Sequence, residues 1–235
     1  MKIQRVVTKH LVFDLDDRFW NSQQRWAQKD IVLVFLETDN SLVGVGEAWT
    51  GGGSPQALIQ TIDDDLAPRL IGKDPRQHNR IFSDVWQTPS LSGRRGIISA
   101  ALSAVDMALW DLVGKSLQTP VYDLLGIYSD QVPCYASAGL YGKDKDQHAL
   151  ADEMRGYLNQ GFSDVKMKVG GVPLDQDLER VKAVREAIGP SARLMVDANY
   201  TLNVPRSLKM ASAFEPYDVY WFEAPVPPDD LLGQA

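Results

Sequence analysis

Polar and hydrophobic positions in the first fifty residues fall into short β-branched and aromatic runs. Ile31–Thr38 and Ser41–Trp49 flank Asp39-Asn40, a pattern that predicts a hairpin with a two-residue turn. An earlier strand is predicted over Ile3–Phe13. Between them, Asp14–Asp30 is polar with embedded aromatics (Phe19, Trp20, Trp26) and has neither a helical nor an alternating period. Such a segment either closes over a ligand as a lid or packs locally, because loops carry function disproportionately. From Ser54 the spacing turns helical. Ser54-Pro55 is a cap followed by a first-turn proline, with a helix to about Leu70, another after Pro75 and a longer one over Ile97–Lys115. In the last, Ala100, Ala101, Ala104 and Ala108 offer small faces for close packing. Strands followed by helices predict an α+β unit.

After Gly126 strands and helices alternate. Strands are predicted over Val132–Leu140, Phe162–Val169, Arg193–Asp197 and Val219–Glu223, and helices over Lys145–Asn159, Leu174–Ile188 and Pro205–Phe214. In the second helix Leu174, Leu178, Val181, Val184 and Ile188 recur at spacings of three and four. Four strands interleaved with three helices predict βαβ units and a parallel sheet. The residues from Gln131 onward number fewer than half of the roughly 250 that a complete (β/α)₈ barrel takes, so a barrel here would be incomplete. The expected division is a capping domain over 1–126, with a three-stranded antiparallel sheet plus helices, and the first half of a barrel over 127–235.

Composition narrows the function. The net charge is −7 without basic runs, which argues against nucleic-acid binding, since phosphate neutralisation needs clustered Lys and Arg. No continuous apolar run approaches the roughly 18 residues that span a bilayer, and Met1–Arg5 lacks the apolar core of a secretory signal. A single cysteine, Cys134, excludes an internal disulfide and is expected as a small buried residue on a strand. These features point to a cytoplasmic protein acting on small molecules, with no membrane partner.

Three strand ends carry candidate chemistry. In Lys166-Met167-Lys168 the two lysines face one side of the strand. They are either a solvated face or, given flanking Val165 and Val169, a buried pair. Repulsion and desolvation would lower both ammonium pKa values and make a usable base. Asp197-Ala198-Asn199 ends the next strand, where α/β folds place ligands, although Asp and Asn also favour caps and turns. Glu223-Ala224-Pro225 ends the following strand after Tyr220-Trp221-Phe222. Carboxylates on two successive strand ends can share one hard cation. His10, His78 and His148 fall outside this set and read as surface or structural residues. Trp49–Ser54 places three glycines before a helix without the spacing of a nucleotide fingerprint, and reads as a flexible loop or a second lid segment.

These three motifs resemble the mandelate racemase/muconate lactonizing enzyme branch of the enolase superfamily. The run Ala101–Lys115, continued by Pro120–Gly126, is also similar to that family's signature before its barrel. The resemblance extends to about Asp230. It implies Mg²⁺ at the C-terminal mouth of a barrel, held by Asp197 and Glu223 with Asn199 as an auxiliary contact. Lys168 matches the base that removes the proton α to a substrate carboxylate, and Lys166 lies beside it. Trp20, Trp26, Trp49 and Thr50 sit on the segments that close over substrate. Ala224 departs from the family pattern, which usually has a second acid there. The third metal ligand and any opposite-face acid belong to later strands. The chain is therefore expected to be a fragment, unstable or oligomeric, with Leu231–Ala235 unlike a natural domain end. The activity implied is an acid-sugar (aldonate or aldarate) dehydratase; the alternatives are a racemase or epimerase, a non-catalytic remnant that binds metal or self-associates, or a plain α/β binding domain. A homo-oligomer is expected from the resemblance.

Overall fold

The computed structural model describes residues 1–51, 54–87 and 95–235. Gly52 and Gly53, in the expected flexible loop, lie outside the described residues. The chain divides into two units: Met1–Asp14 with Lys29–Asp130, and Leu15–Gln28 with Gln131–Ala235. The structure thus sets the division at Asp130/Gln131, and it groups Leu15–Gln28 with the later residues.

In the first unit β1 (Ile3–Asp14), β3 (Gln28–Thr38) and β4 (Val43–Ala48) form a sheet in the order β1-β3-β4. β3 and β4 are antiparallel, with Val32 opposite Ala48 and Glu37 opposite Val43. Inside the closing pair Thr38/Leu42 the loop has three residues, Asp39–Ser41, not the expected two. Ser41 takes a left-handed conformation (φ 65°) and Thr38 closes the loop onto the Leu42 carbonyl, the geometry of a three-residue hairpin loop. Alternation buries Val32, Val34 and Leu36 on one face. Helices α1 (Pro55–Gln60) and α2 (Ala67–Leu70) run through one wide π-type turn over Thr61–Leu66. Ser54 caps α1 by accepting from the Ala57 N–H. α3 (His78–Gln87) follows a 3₁₀ turn at Pro75–Gln77 that Asp74 caps, then come α4 (Ile97–Leu117) and α5 (Val121–Leu124).

The small faces predicted on α4 meet two glycines of β4. A Cβ added at Gly46 would stand 1.9 Å from the Ala104 carbonyl oxygen, and one at Gly44 would stand 2.2 Å from that of Ala108. The helix lies that close because neither side carries bulk. α4 is the one described helix long and apolar enough to cross a membrane by length and composition, which qualifies the sequence expectation. Its Ala101, Ala104, Leu109 and Leu112 are nevertheless in the core of this unit.

In the second unit β2 (Phe19–Trp20) pairs antiparallel with β6 (Tyr141–Gly142). That pairing is the physical reason Leu15–Gln28 belongs here. β5 (Ala136–Ser137), β7 (Asp164–Lys168), β8 (Arg193–Asp197) and β9 (Val219–Glu223) make a parallel sheet in sequential order. α6 (Gln147–Asn159), α7 (Leu174–Ile188) and α8 (Val204–Phe214) alternate with these strands, and α9 (Leu231–Gln234) follows. The arrangement is part of a (β/α) barrel. The expected strand Val132–Leu140 shrinks to Ala136–Ser137: Pro133 cannot donate to a ladder, and Gly139 turns left-handed at φ 62°. Cys134 accordingly lies outside the strand and is exposed, not buried as expected. Val165, Met167, Val169, Leu194, Val196 and Ala198 join a core with Met154, Val181, Val184 and Phe214. The other face of β7 and β8 is left to Lys166, Lys168, Met195 and Asp197.

At the N-terminal end of that face Asp164 fastens β7 to β8. It accepts the Arg193 N–H (3.0 Å), an Arg193 guanidinium N–H (2.6 Å) and the Ser163 hydroxyl (3.0 Å). The Arg193 bond holds the Asp164 carboxyl down to about 2, against a smaller opposing effect of burial.

Two stability predictions follow from these contacts. Gly46→Ala should lower the unfolding free energy by about 3 kcal/mol, because the helix backbone must retreat; an unchanged urea midpoint would refute the packing argument. A depressed carboxyl pKa stabilises above the unfolded-state value and is lost as pH falls through the folded one. Asp164 should therefore contribute about 1 kcal/mol above pH ~4, after discounting for solvent around Arg193, and lose it towards pH ~2. Comparing acid titrations of stability for the wild type and Asp164→Asn reads this directly, and parallel curves would contradict it.

Candidate active site

The parallel register puts the candidate residues in rows. Lys168 stands opposite Asp197, and Asp197 opposite Glu223; one step earlier Lys166 stands opposite Met195, and Met195 opposite Trp221. The structure therefore gathers Lys166, Lys168, Asp197 and Glu223 at the C-terminal ends of three adjacent strands. Lys166 Nζ donates to Glu223 Oε2 at 2.7 Å, reaching across β8, and Lys168 Nζ donates to Asp197 Oδ2 at 2.5 Å. Asp197 is 2% exposed, Lys166 7% and the Lys168 side chain 15%, so the pair of lysines is a sheltered one and not a solvated face.

Asn199 turns back on the same acid. Its N–H donates to Asp197 Oδ1 at 2.8 Å and its side-chain amide to Oδ2 at 3.2 Å. Its Oδ1 is buried without a hydrogen-bond partner. Asn199, Tyr200 and Ala224 all have left-handed backbone (φ 48°, 64° and 48°), a conformation that costs roughly 1–2 kcal/mol per L-residue. Ala224 directly follows Glu223, and Asn199 and Tyr200 come two and three residues after Asp197; such strain clusters at functional sites. Tyr200 N–H donates to the Ala224 carbonyl at 2.7 Å, tying the two strand ends together.

One expectation is corrected. Burial does pull the Lys166 pKa down, but hydrogen bonds to Glu223 and Tyr135 and the charge of Glu223 outweigh it, and the net shift is upward. Residue spacing sets the two ammonium groups against each other and omits the acids that pair with them. It also missed Tyr135, whose hydroxyl lies 3.3 Å from Lys166 Nζ and whose ring packs edge-on against Trp221 at 5.3 Å. Ser137 pairs with Lys166, so strand parity from Ser137 back to Tyr135 is the signal that would have found it.

Trp20 is half-buried, stacked on Tyr141 (centroids 6.2 Å apart, planes at 14°) and covered by the Arg25 guanidinium at 3.9 Å. Ser22 Oγ donates to the Ala198 carbonyl at 2.6 Å, between Asp197 and Asn199. Trp26 is half-buried in the same segment. Trp49 and Thr50 belong to the first unit, where Trp49 is exposed and Thr50 Oγ1 donates to the Asp30 carbonyl at 2.6 Å. Two of the histidines are structural: His10 pairs with Asp30 (2.7 Å), and His78 with Asp106 (2.6 Å) against the Trp110 ring. His148 is exposed.

Among the described residues no three His, Cys, Asp or Glu side chains gather to hold a metal. What the site offers is two carboxylates and the unpartnered Asn199 Oδ1, all hard oxygen donors. That chemistry fits a Mg²⁺ ion, which keeps several waters and takes only one or two protein carboxylates.

Comparison with known proteins places this geometry in a family. Residues 18–126 match the mandelate racemase/muconate lactonizing enzyme N-terminal domain, and residues 149–235 match the enolase C-terminal domain-like family. A 3,6-anhydro-alpha-L-galactonate cycloisomerase of Streptomyces coelicolor is 38% identical over 88% of this chain and 56% of its own length. An arabinonate dehydratase of Saccharolobus solfataricus is 36% identical over 86% of this chain and 54% of its own. The crystal structure of a racemase from Streptomyces coelicolor with bound magnesium superposes with a TM-score of 0.91 at 36% identity, covering 99% of this chain and 65% of that one. The chain thus spans little more than half the length of these two curated relatives. With both domain matches and these relatives in hand, the chain belongs to the mandelate racemase/muconate lactonizing enzyme branch of the enolase superfamily.

Proposed function

We propose that this chain carries the base and metal-binding half of an acid-sugar dehydratase, acting on an aldonate or aldarate. The observation that supports it best is the crossed pairing of two amines with two acids at adjacent strand ends, Lys168 on Asp197 and Lys166 on Glu223. Asp197 and Glu223 would hold Mg²⁺, with Asn199 as an auxiliary oxygen. When bound, the ion supplies positive charge beside the substrate carboxylate. Lys166 contributes a second, fixed positive charge to the same carboxylate. Lys168, as the free amine, takes the α-proton onto Nζ, and the C–H electron pair moves into the carboxylate system. The β-hydroxyl then leaves as water by taking that proton from Lys168 Nζ, which returns the free amine, and tautomerisation of the resulting enol gives a 2-keto-3-deoxy acid. Trp20 and Trp26, and separately Trp49 and Thr50, are the candidates for shaping the substrate space. A racemase shares the proton abstraction and is favoured by the magnesium-bound racemase neighbour; it would return the proton and yield an epimer in place of a keto acid.

The test is α-proton exchange in D₂O with a panel of aldonic and aldaric acids and Mg²⁺, followed by NMR. Exchange should occur with at least one acid and fall by about 10²–10⁴-fold in Lys168→Ala, the contribution of a positioned base. No exchange, or exchange indifferent to Lys168, would overturn the reading. Metal binding is checked separately by unfolding. Mg²⁺ at ten times its dissociation constant should stabilise the wild type by about 1.4 kcal/mol. Asp197→Ala and Glu223→Ala should each largely abolish that increment, and an equal response in either variant would remove that acid from the site.

A further inference from the structure

The backbone that carries Lys168 is gripped by a buried polar brace that never touches its amine. Asp177, fully buried on α7, accepts the Gly170 N–H at Oδ2 (2.6 Å) and the Tyr141 hydroxyl at Oδ1 (2.9 Å). The Tyr141 oxygen itself accepts the Gly171 N–H (2.9 Å). Arg180, one turn further along α7, donates to Asp177 Oδ1 (2.8 Å), to the Lys168 carbonyl (2.8 Å) and to the Gly139 carbonyl (3.2 Å). Gly139 O in turn accepts the Lys168 N–H at 3.2 Å. Both polar groups of the Lys168 backbone therefore end on the same guanidinium, one directly and one through Gly139. The guanidinium carbon stands 3.9 Å from the centre of the Tyr141 ring.

A buried carboxylate–guanidinium pair is a poor way to gain stability, since well-packed apolar residues often do as well or better. A planar fork gives direction instead. This one spends its donors on the Lys168 carbonyl, on the Gly139 carbonyl that takes the Lys168 N–H, and on Asp177, whose other oxygen takes the Gly170 N–H.

We infer that Asp177 and Arg180 are positioning residues that set the backbone of Lys168, and through it the seat of its ammonium group against Asp197. The inference rests on the proposed function only for the chemistry Lys168 performs; the bracing of the amine stands apart from it.

The test reads the amine itself. The full chain is reductively methylated with ¹³C-formaldehyde at one fixed pH, and the Lys166 and Lys168 signals are assigned by their loss in Lys166→Arg and Lys168→Arg. In Arg180→Met the rate at Lys168 should rise about three- to tenfold, the scale of one lost hydrogen bond. Lys166, held by Glu223 and Tyr135, should change by less than about twofold, as expected for an uncoupled site. Arg180→Lys should recover part of the difference. A rise at both lysines would mean general loosening and would overturn the inference, as would no change at Lys168. Should Arg180→Met fail to fold, Tyr141→Phe, which deletes one hydroxyl of the brace, is judged by the same ratio between the two lysines. The two proposals fail separately. If the Lys168 signal responds to Arg180 but α-proton exchange ignores Lys168, the catalytic reading falls alone. If exchange needs Lys168 but its reactivity ignores Arg180, the brace falls alone.

Discussion

Two ammonium groups and two carboxylates share one face of the parallel sheet, where the buried Lys166 and the buried Asp197 each meet an opposite charge. Removing one charge from water costs several kcal/mol even after the protein relaxes. At Lys166 the balance is visible: burial pulls its pKa down, and Glu223 with Tyr135 turns the net shift upward. The rest of the second unit serves this balance. The strands must be parallel and adjacent for Lys168, Asp197 and Glu223 to lie in one row. The opposite face of β7 and β8 must be apolar so that the helices cover it and no charge is needed there.

That division of faces explains what the sequence could disclose. The ends of β8, β9 and α7 coincide with their expected limits. Each is a short run of clear period closed by Asp, Glu-Ala-Pro or Gly, where local preference and tertiary environment agree. The segment after Gly126 misled for the opposite reason. Val132 to Leu140 has strand-like composition, but Pro133 and the left-handed Gly139 leave only two residues to pair. Cys134 went astray with it. The grouping of Leu15–Gln28 with the second unit was illegible too, because β2 and β6 contribute two residues each, too few to carry a period.

The electrostatic part was the least legible. Alternation places Lys166 and Lys168 on one face but does not say which acid each will meet. The observed pairing is crossed: Lys168 takes its direct cross-strand neighbour, while Lys166 passes over Met195 to reach Glu223. The sign of the Lys166 shift depends on that reach and not on the spacing of the lysines. Asp177 and Arg180 were hidden for a related reason. On a helical wheel Asp177 falls inside the stripe of Leu174, Leu178, Val181, Val184 and Ile188, and Arg180 stands at its edge; the wheel does not say which backbone groups they will hold, although Asp177 is as buried as Val181.

The strand ends also bear on the missing second acid. Where the family usually has an acid, Ala224 sits at φ 48° with its carbonyl held by the Tyr200 N–H, itself on a left-handed residue. A side chain at 224 is therefore not needed to fix the end of β9; the backbone bridge between the two turns does that. The same turns fix Asn199 over Asp197, and Ser22 reaches the Ala198 carbonyl between them. Backbone bonds thus hold the ends of β8 and β9 together without help from a side chain at 224. What an alanine at 224 removes is charge. Glu223 and Asp197 are already matched one-to-one by Lys166 and Lys168, so the pairing on this face is complete without a further carboxylate.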